Sequence, residues 1–335
     1  MKKIMNIIAF IMLLLGFLIL SKPYLREWKL ERENDRIIKE FSKRAEENRP
    51  TGNNETNSSD GITVPFDELY ENMKEYNQRI YEENQSGLRD VFSYTTTSFD
   101  LPSFGIIDDV AGYITIEKIG VTMAMYIGSN KTNMSKGATI MNQTSMPVGG
   151  MNTNCVIAAH RSRGFLAEIE QLEPGDEIQI TNLWQTLRYK VVKIIVIEPF
   201  DIDKVKIIPG QDMVTLLTCH PYGKNTNRYV VYCVRDDAAV GEYLQENGDV
   251  ADLEGSRKEN DLLDGKTDDT ATHSKSITAG ELPDGMEFEP SEKSIHNENT
   301  VRICGMILTG LFLAIYLFTI IAGKKSAKKN KTKVN

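Results

Sequence analysis

A run of twenty residues without a charge, Ile303 to Ala322, constrains this sequence more than any other feature. An apolar stretch of that length matches the hydrocarbon thickness of a bilayer and predicts a transmembrane helix. A second apolar run, Ile4 to Leu20, follows Lys2 and Lys3 and precedes Lys22, with Asn6 as its one strongly polar residue. The chain continues Ser21-Lys22-Pro23-Tyr24, without a small-residue cleavage pattern, which favours an uncleaved anchor over a signal peptide. Basic residues near membrane spans stay on the cytoplasmic side. Lys2 and Lys3 precede the first span, and Lys324, Lys325, Lys328, Lys329, Lys331 and Lys333 follow the second. The expectation is a cell-membrane protein with both termini cytoplasmic and everything between the spans outside. Cleavage of the first span would leave that external placement unchanged.

The sequence divides by composition into an anchor (1–22), a helical arm (23–111), a central domain (112–238), an acidic flexible tether (239–300), a transmembrane helix (301–323) and a basic cytoplasmic tail (324–335). In the arm, Leu25, Trp28, Ile37, Ile38 and Phe41 are spaced for one amphipathic helix. Phe66, Leu69, Tyr70, Met73, Tyr76 and Ile80 form the face of another, from Pro65 to about Gln85, and Pro65 suits its first turn. From Gly112 to Arg235 β-branched and aromatic residues alternate in short runs between turn residues. Strands are predicted at 113–119, 123–127, 154–159, 177–181, 187–197, 213–219 and 229–234, with one short helix at 163–172. Many short strands with regular turns make this domain mainly β, a closed barrel or a sandwich. The polar 241–300 stretch has too few large apolar residues to fold alone.

The net charge of −8 argues against a nucleic-acid partner, since the dense basic cluster is the tail itself. No CxxC pair, HExxH helix or Gly-rich phosphate loop occurs, so neither a metal nor a cofactor is expected. Four histidines occur, and His273 and His296 fall in the tether, leaving His160 and His220. Of four cysteines, Cys304 lies in the second span, so at least one of Cys155, Cys219 and Cys233 is unpaired. Cys219 and His160 each end an apolar strand, and Arg228 opens a third. Polar residues at strand ends are well placed to converge on one rim. A thiolate nucleophile needs a cation or His beside it and a proton donor for the leaving amine.

The full strings are more specific. Thr215-Leu216-Leu217-Thr218-Cys219-His220-Pro221-Tyr222-Gly223, followed by Arg228, resembles the TLxTC motif and Arg-bearing strand of the sortase family. Ala158-Ala159-His160-Arg161 is similar to the family's histidine site, Thr144-Ser145-Met146-Pro147-Val148-Gly149-Gly150 to its TS-x-P-x-GG loop, and Gly112-Tyr113-Ile114-Thr115-Ile116 to its first barrel strand. The resemblance implies a sortase-like closed β-barrel and a cysteine transpeptidase without cofactors. Cys219 would attack an LPxTG-like sorting signal, His160 would act as acid and base, and Arg228 would stabilise the oxyanion. The helical arm, the TLxTC-x-PYG string and the C-terminal span look most like class C, the pilin polymerases. That implies surface proteins or pilins as substrates and a pilin lysine as acceptor, with a peptidoglycan amine as the alternative. Class C also implies a lid with an Asp and an aromatic residue two positions later, which Asp90 and Phe92 fit. The alternative for Phe92 is packing of the arm against the barrel.

Strand alternation turns His220 away from the side that carries Cys219, which favours His160 as the proton partner. By the same parity Cys155 and Cys233 face away, while Arg161 and Arg163 read as loop residues near the rim. A papain-like protease lacks its local signature here. A non-enzymatic surface protein would leave Cys219, His160 and Arg228 unexplained, and Leu282-Pro283-Asp284-Gly285-Met286 is not a sorting signal.

Overall fold

The computed structural model describes residues 2–47, 67–93, 109–236 and 282–331. The polar break between the two arm helices, the second half of the 88–105 segment, His273 and most of the 239–300 tether lie outside the described residues. The chain forms two compact units, Met1–Glu31 with Glu292–Asn335, and Arg32–Ser291.

In the first unit the apolar runs lie on α1 (Lys2–Glu47) and α4 (Glu292–Lys331). Both helices are long and apolar enough to cross a membrane. Their apolar side chains, Ile11, Leu15 and Leu18 on one and Ile307, Leu311 and Ile315 on the other, are exposed, unlike those of a core helix. Phe10 stacks on Tyr316 at 5.3 Å. The expected boundaries at 22, 300 and 323 are all crossed by helix. Pro23 sits inside α1, where it forfeits one backbone hydrogen bond within a run of good helix formers. Residues 292–300, expected in the tether, form the start of α4, supported by the Glu298–Arg302 pair at 2.7 Å.

The second unit is a closed barrel of eight strands in the order β1-β2-β3-β4-β7-β8-β6-β5. They are β1 (Val110–Ile116), β2 (Val121–Ile127), β3 (Ala138–Ile140), β4 (Thr153–Ala158), β5 (Glu177–Thr181), β6 (Thr186–Ile197), β7 (Asp212–His220) and β8 (Asn227–Arg235). Closure removes the free edges of an open sheet. Seven strands lie where the alternation predicts them, within about three residues at the ends. β3 is too short to show a period, and the six-residue α3 (Lys131–Lys136) before it starts on Asn130, whose side chain accepts the Asn133 amide at 2.8 Å. The expected helix at 163–172 is instead turns and a single 3-10 turn, Ile169–Gln171. Gly164 takes φ 78°, a left-handed backbone that cannot continue an α-helix.

The arm is tied to the barrel by buried amides. Asn34 on α1 donates to the Thr122 carbonyl (2.7 Å) and accepts the Ala124 amide (2.9 Å). α2 (Asp67–Glu82) buries Leu69, Met73, Tyr76, Asn77 and Ile80, a single helical face. Its Asn77 accepts the Met146 amide at 2.6 Å and donates to the Met146 carbonyl at 3.2 Å, holding the loop before β4.

Residues 282–291 do not behave as tether. β5 covers β6 only as far as Lys190, so the outer edge of β6 beyond it is open, and Met286 bridges there to Val196. Leu282 is buried in the cluster under that edge, and Lys193 donates to the Leu282 carbonyl and the Asp284 carboxylate, both at 3.0 Å. A hydrophobic cluster and an unsatisfied strand edge therefore capture a segment whose composition reads as solvated. The backbones meet so closely at Gly285 that a Cβ there would lie 2.6 Å from Ile195 Cβ and 2.8 Å from the Val196 carbonyl. Gly285→Ala is expected to cost about 1–3 kcal/mol through this overpacking, read as a fall in Tm with faster proteolysis at 282–291. An unchanged Tm and digestion pattern would show that this segment does not hold the barrel.

Candidate active site

Cys219 and Arg228 are directly opposite each other in the antiparallel β7–β8 ladder, so both side chains leave the same face. Met213 and Leu217 on β7, and Val230, Tyr232 and Val234 on β8, share that face and form one buried cluster. His160 follows β4, which runs parallel to β7 with Ala158 beside Leu217. Two bonds fix this junction: the Ala159 amide donates to the Leu217 carbonyl at 3.2 Å, and the Thr218 hydroxyl donates to the Ala159 carbonyl at 2.7 Å. The motif threonines are thus framework, since the Thr215 hydroxyl likewise reaches Asn154 Oδ1 at 2.8 Å. Thr144 and Ser145 support β4 by accepting the Val156 and Asn154 amides.

The 88–93 segment lies against this rim. Leu88 and Phe92 pack on the cluster and Val91 is buried within it. Asp90 receives a two-pronged hydrogen bond from Arg228, Nε to Oδ1 and Nη2 to Oδ2, each at 2.9 Å. Phe92 lies under the Arg228 guanidinium at 4.6 Å from the ring centre and 6.0 Å from the His160 ring. Phe165 meets His160 edge-on from another direction at 6.1 Å. Both residues read from the sequence as a possible lid are therefore in contact with the Cys/His/Arg set.

This closed arrangement governs the thiol. Burial is the largest influence on Cys219 and pushes its pKa up to about 11. The Arg228 charge opposes that rise, but the Asp90 carboxylate beside it adds to it. At neutral pH the covered thiol keeps its proton. Cys155 and Cys233 are fully buried, with pKa values raised well above the ordinary thiol range by burial, and both are unpaired.

His220 points away from Cys219, as strand parity requires. It is buried against Arg161 and Glu170, with Arg161 Nη1 2.9 Å and Glu170 Oε1 3.2 Å from its Nδ1. Burial and the Arg161 charge lower its pKa, against the opposing pull of Glu170. Arg161, expected as a loop residue near the rim, has a side chain with no solvent exposure, because Glu170 compensates its charge at 2.6 Å. Sequence reading missed Glu170, which sits among other acidic residues with no local signal of burial.

A family model described as a Sortase domain matches residues 114–236. A solved sortase C from Clostridium perfringens is 31% identical and is covered over 99% of its length by 60% of this chain, with a TM-score of 0.46. This is a sortase domain. Within the family it is most like class C. The structure of Sortase C1 of GBS pilus island 1 is 26% identical with a TM-score of 0.52, over 61% of this chain and 92% of that one. The curated Sortase A of Streptococcus agalactiae is 25% identical over 136 residues, 38% of this chain. The chain spans about half, 51%, of that relative's length.

The electrostatics of this sortase lead to a direct test. Asp90→Ala/Phe92→Ala uncovers Cys219 and removes the carboxylate that neutralises Arg228. Both changes lower the thiol pKa, so alkylation of Cys219 by iodoacetamide at pH 7 is expected to accelerate severalfold, at most about tenfold, for each unit of decrease. Unchanged labelling in a folded double variant would leave 88–93 as a structural linker.

Proposed function

We propose that this sortase cleaves LPxTG-like sorting signals through a thioacyl intermediate on Cys219 and joins the acyl product to a lysine amine of a pilin subunit. The observation that carries the reading is the Cys219–Arg228 pairing across β7 and β8, with His160 brought to the same rim by the β4–β7 junction. Its first step is opening: substrate displaces Asp90 and Phe92, which frees the Arg228 guanidinium and lets the thiol pass its proton to His160. The thiolate then attacks the scissile carbonyl carbon. Arg228, no longer committed to Asp90, donates to the developing oxyanion. His160 gives its proton to the leaving amine, the C–N bond breaks, and the acyl group remains on sulfur. An incoming amine attacks the thioester, loses a proton to His160 and expels the thiolate. The class C likeness supports a pilin lysine as the acceptor.

Mutation tests the roles. Cys219→Ala should abolish transpeptidation of an LPxTG peptide, and His160→Ala should lower kcat by about 10²–10⁴-fold. Arg228→Ala should cost about 10²–10³-fold by removing an oxyanion donor. His220→Ala should cost clearly less than His160→Ala, and equal severity would overturn the assignment of His160. Assays with a pilin-lysine peptide and with a peptidoglycan-type amine in parallel decide the acceptor; preference for the second would overturn the pilin reading.

The two apolar helices and the flanking lysines support an extracytoplasmic barrel with both termini inside. Protease added to spheroplasts should digest 112–235 and spare a tag placed after Asn335. Digestion of that tag from outside would overturn the two-span topology.

A further inference from the structure

Each member of the Cys/His/Arg set is followed in the chain by a residue of one second cluster. Arg161 follows His160, His220 follows Cys219, and Tyr229 follows Arg228. Arg161 Nη1 donates to His220 Nδ1 at 2.9 Å, and its guanidinium lies 5.4 Å from the Tyr229 ring centre. The His220 and Tyr229 rings are 5.6 Å apart. A guanidinium can only donate, so this bond uses His220 Nδ1 as acceptor, with Glu170 Oε1 facing the same nitrogen at 3.2 Å.

Two further residues close the cluster. Glu170 pairs with Arg161 Nη2 at 2.6 Å, and its other oxygen accepts the Ser291 amide at 2.6 Å. Ser291 Oγ accepts the Tyr222 amide at 3.1 Å, just beyond Cys219 in the chain. Phe288 stands edge-on to His220 at 5.3 Å and to Tyr229 at 5.5 Å. The segment 282–291 therefore reaches the immediate neighbours of Cys219 and Arg228 from the far side of the sheet.

We propose that Arg161, His220 and Tyr229, clamped by Glu170 and Phe288, are positioning residues that set the spacing of His160, Cys219 and Arg228. This rests on the transpeptidase reading above. The argument is one of cost and geometry. Burying a guanidinium, a carboxylate and an imidazole stabilises a fold no better than apolar packing does. What apolar packing lacks is direction. Arg161 fastens the segment after β4 to the end of β7: its Nη1 lies 2.9 Å from His220 Nδ1 and 3.5 Å from the Cys219 carbonyl.

The test uses the full chain in lipid nanodiscs, with the exposed Cys304 replaced by Ala so that alkylation reports Cys219. Variants are His220→Leu, which removes the acceptor for Arg161, His220→Asn, which restores one, and Phe288→Ala. Two quantities are read: the pH midpoint of iodoacetamide reaction at Cys219, and kcat and KM for an LPxTG peptide with an amine acceptor. His220→Leu should raise the thiol midpoint by about half a unit or more as the cationic neighbours shift. It should also lower kcat by up to about 100-fold, with KM within about twofold. His220→Asn should recover most of both losses, and Phe288→Ala should fall between. Folded variants with an unchanged midpoint and kcat would overturn the proposal and leave the cluster as packing. Should His220→Leu fail to fold, Phe288→Ala decides, because that side chain is 38% exposed and its loss leaves the barrel core intact. A wild-type chain that turns over no sorting-signal peptide would sink the transpeptidase reading, while the thiol midpoints would still judge the positioning.

Discussion

The antiparallel register of β7 and β8 is the constraint on which the rest depends. Eight paired positions run from Met213↔Val234 to His220↔Asn227, and Cys219↔Arg228 is the seventh. A slip of one residue would carry Cys219 to the opposite face and bring His220 into its place. The buried cluster prevents that slip, since Leu217, Val230, Tyr232 and Val234 would all have to leave it together. Asp212 secures the far end by accepting Tyr189 Oη at 3.0 Å and Arg235 Nη1 at 3.3 Å. Chemistry at one rim is thus held in register by packing along the whole strand and by a charge network at the other.

Given that register, the reactivity of the rim is decided by what covers it. Burial and Arg228 act on the Cys219 thiol in opposite directions, and burial wins. Asp90 adds to the winning side, which keeps the thiol protonated, and it occupies both prongs of the guanidinium. A bidentate carboxylate is a close mimic of two oxygen acceptors, so the same geometry that silences Arg228 also preserves it in a shape suited to an oxyanion. Phe92 completes the cover from the cationic face, where an aromatic ring is attracted to the guanidinium it shields.

Much of this was legible in the residues. Alternation located seven of eight strands because the barrel's two faces impose a period of two, and charge-free length located both membrane-type helices. Cys219, His160 and Arg228 were singled out by their strings, and strand parity turned His220 away; the β7–β8 register sets Cys219 opposite Arg228. What escaped has physical reasons. β3 has three residues and no period to detect. The helix expected at 163–172 failed on Gly164, whose backbone the apolar pattern does not register. Arg161 and Glu170 look like surface charges individually and become buried only as a pair, a contact across an irregular loop that composition cannot reveal. Residues 282–291 read as tether because their polar side chains mask a backbone that completes an open strand edge.

That last segment changes how the domain's limits should be drawn. A barrel ending at Arg235 would leave the outer edge of β6 unpaired, Glu170 without the Ser291 amide and the His220 ring without Phe288. Each of these is a separate kind of loss: a backbone pairing, a buried carboxylate's hydrogen bond and an aromatic contact. The carboxylate matters most, because Glu170 balances the buried Arg161 charge and its other oxygen is satisfied by the Ser291 amide. Since Ser291 is followed directly by α4, the residue that steadies this buried charge is also the last before the membrane-type helix. Residues 282–291 therefore belong with the barrel's compact unit, closing the open edge of β6 and the rear of β7 up to the start of α4.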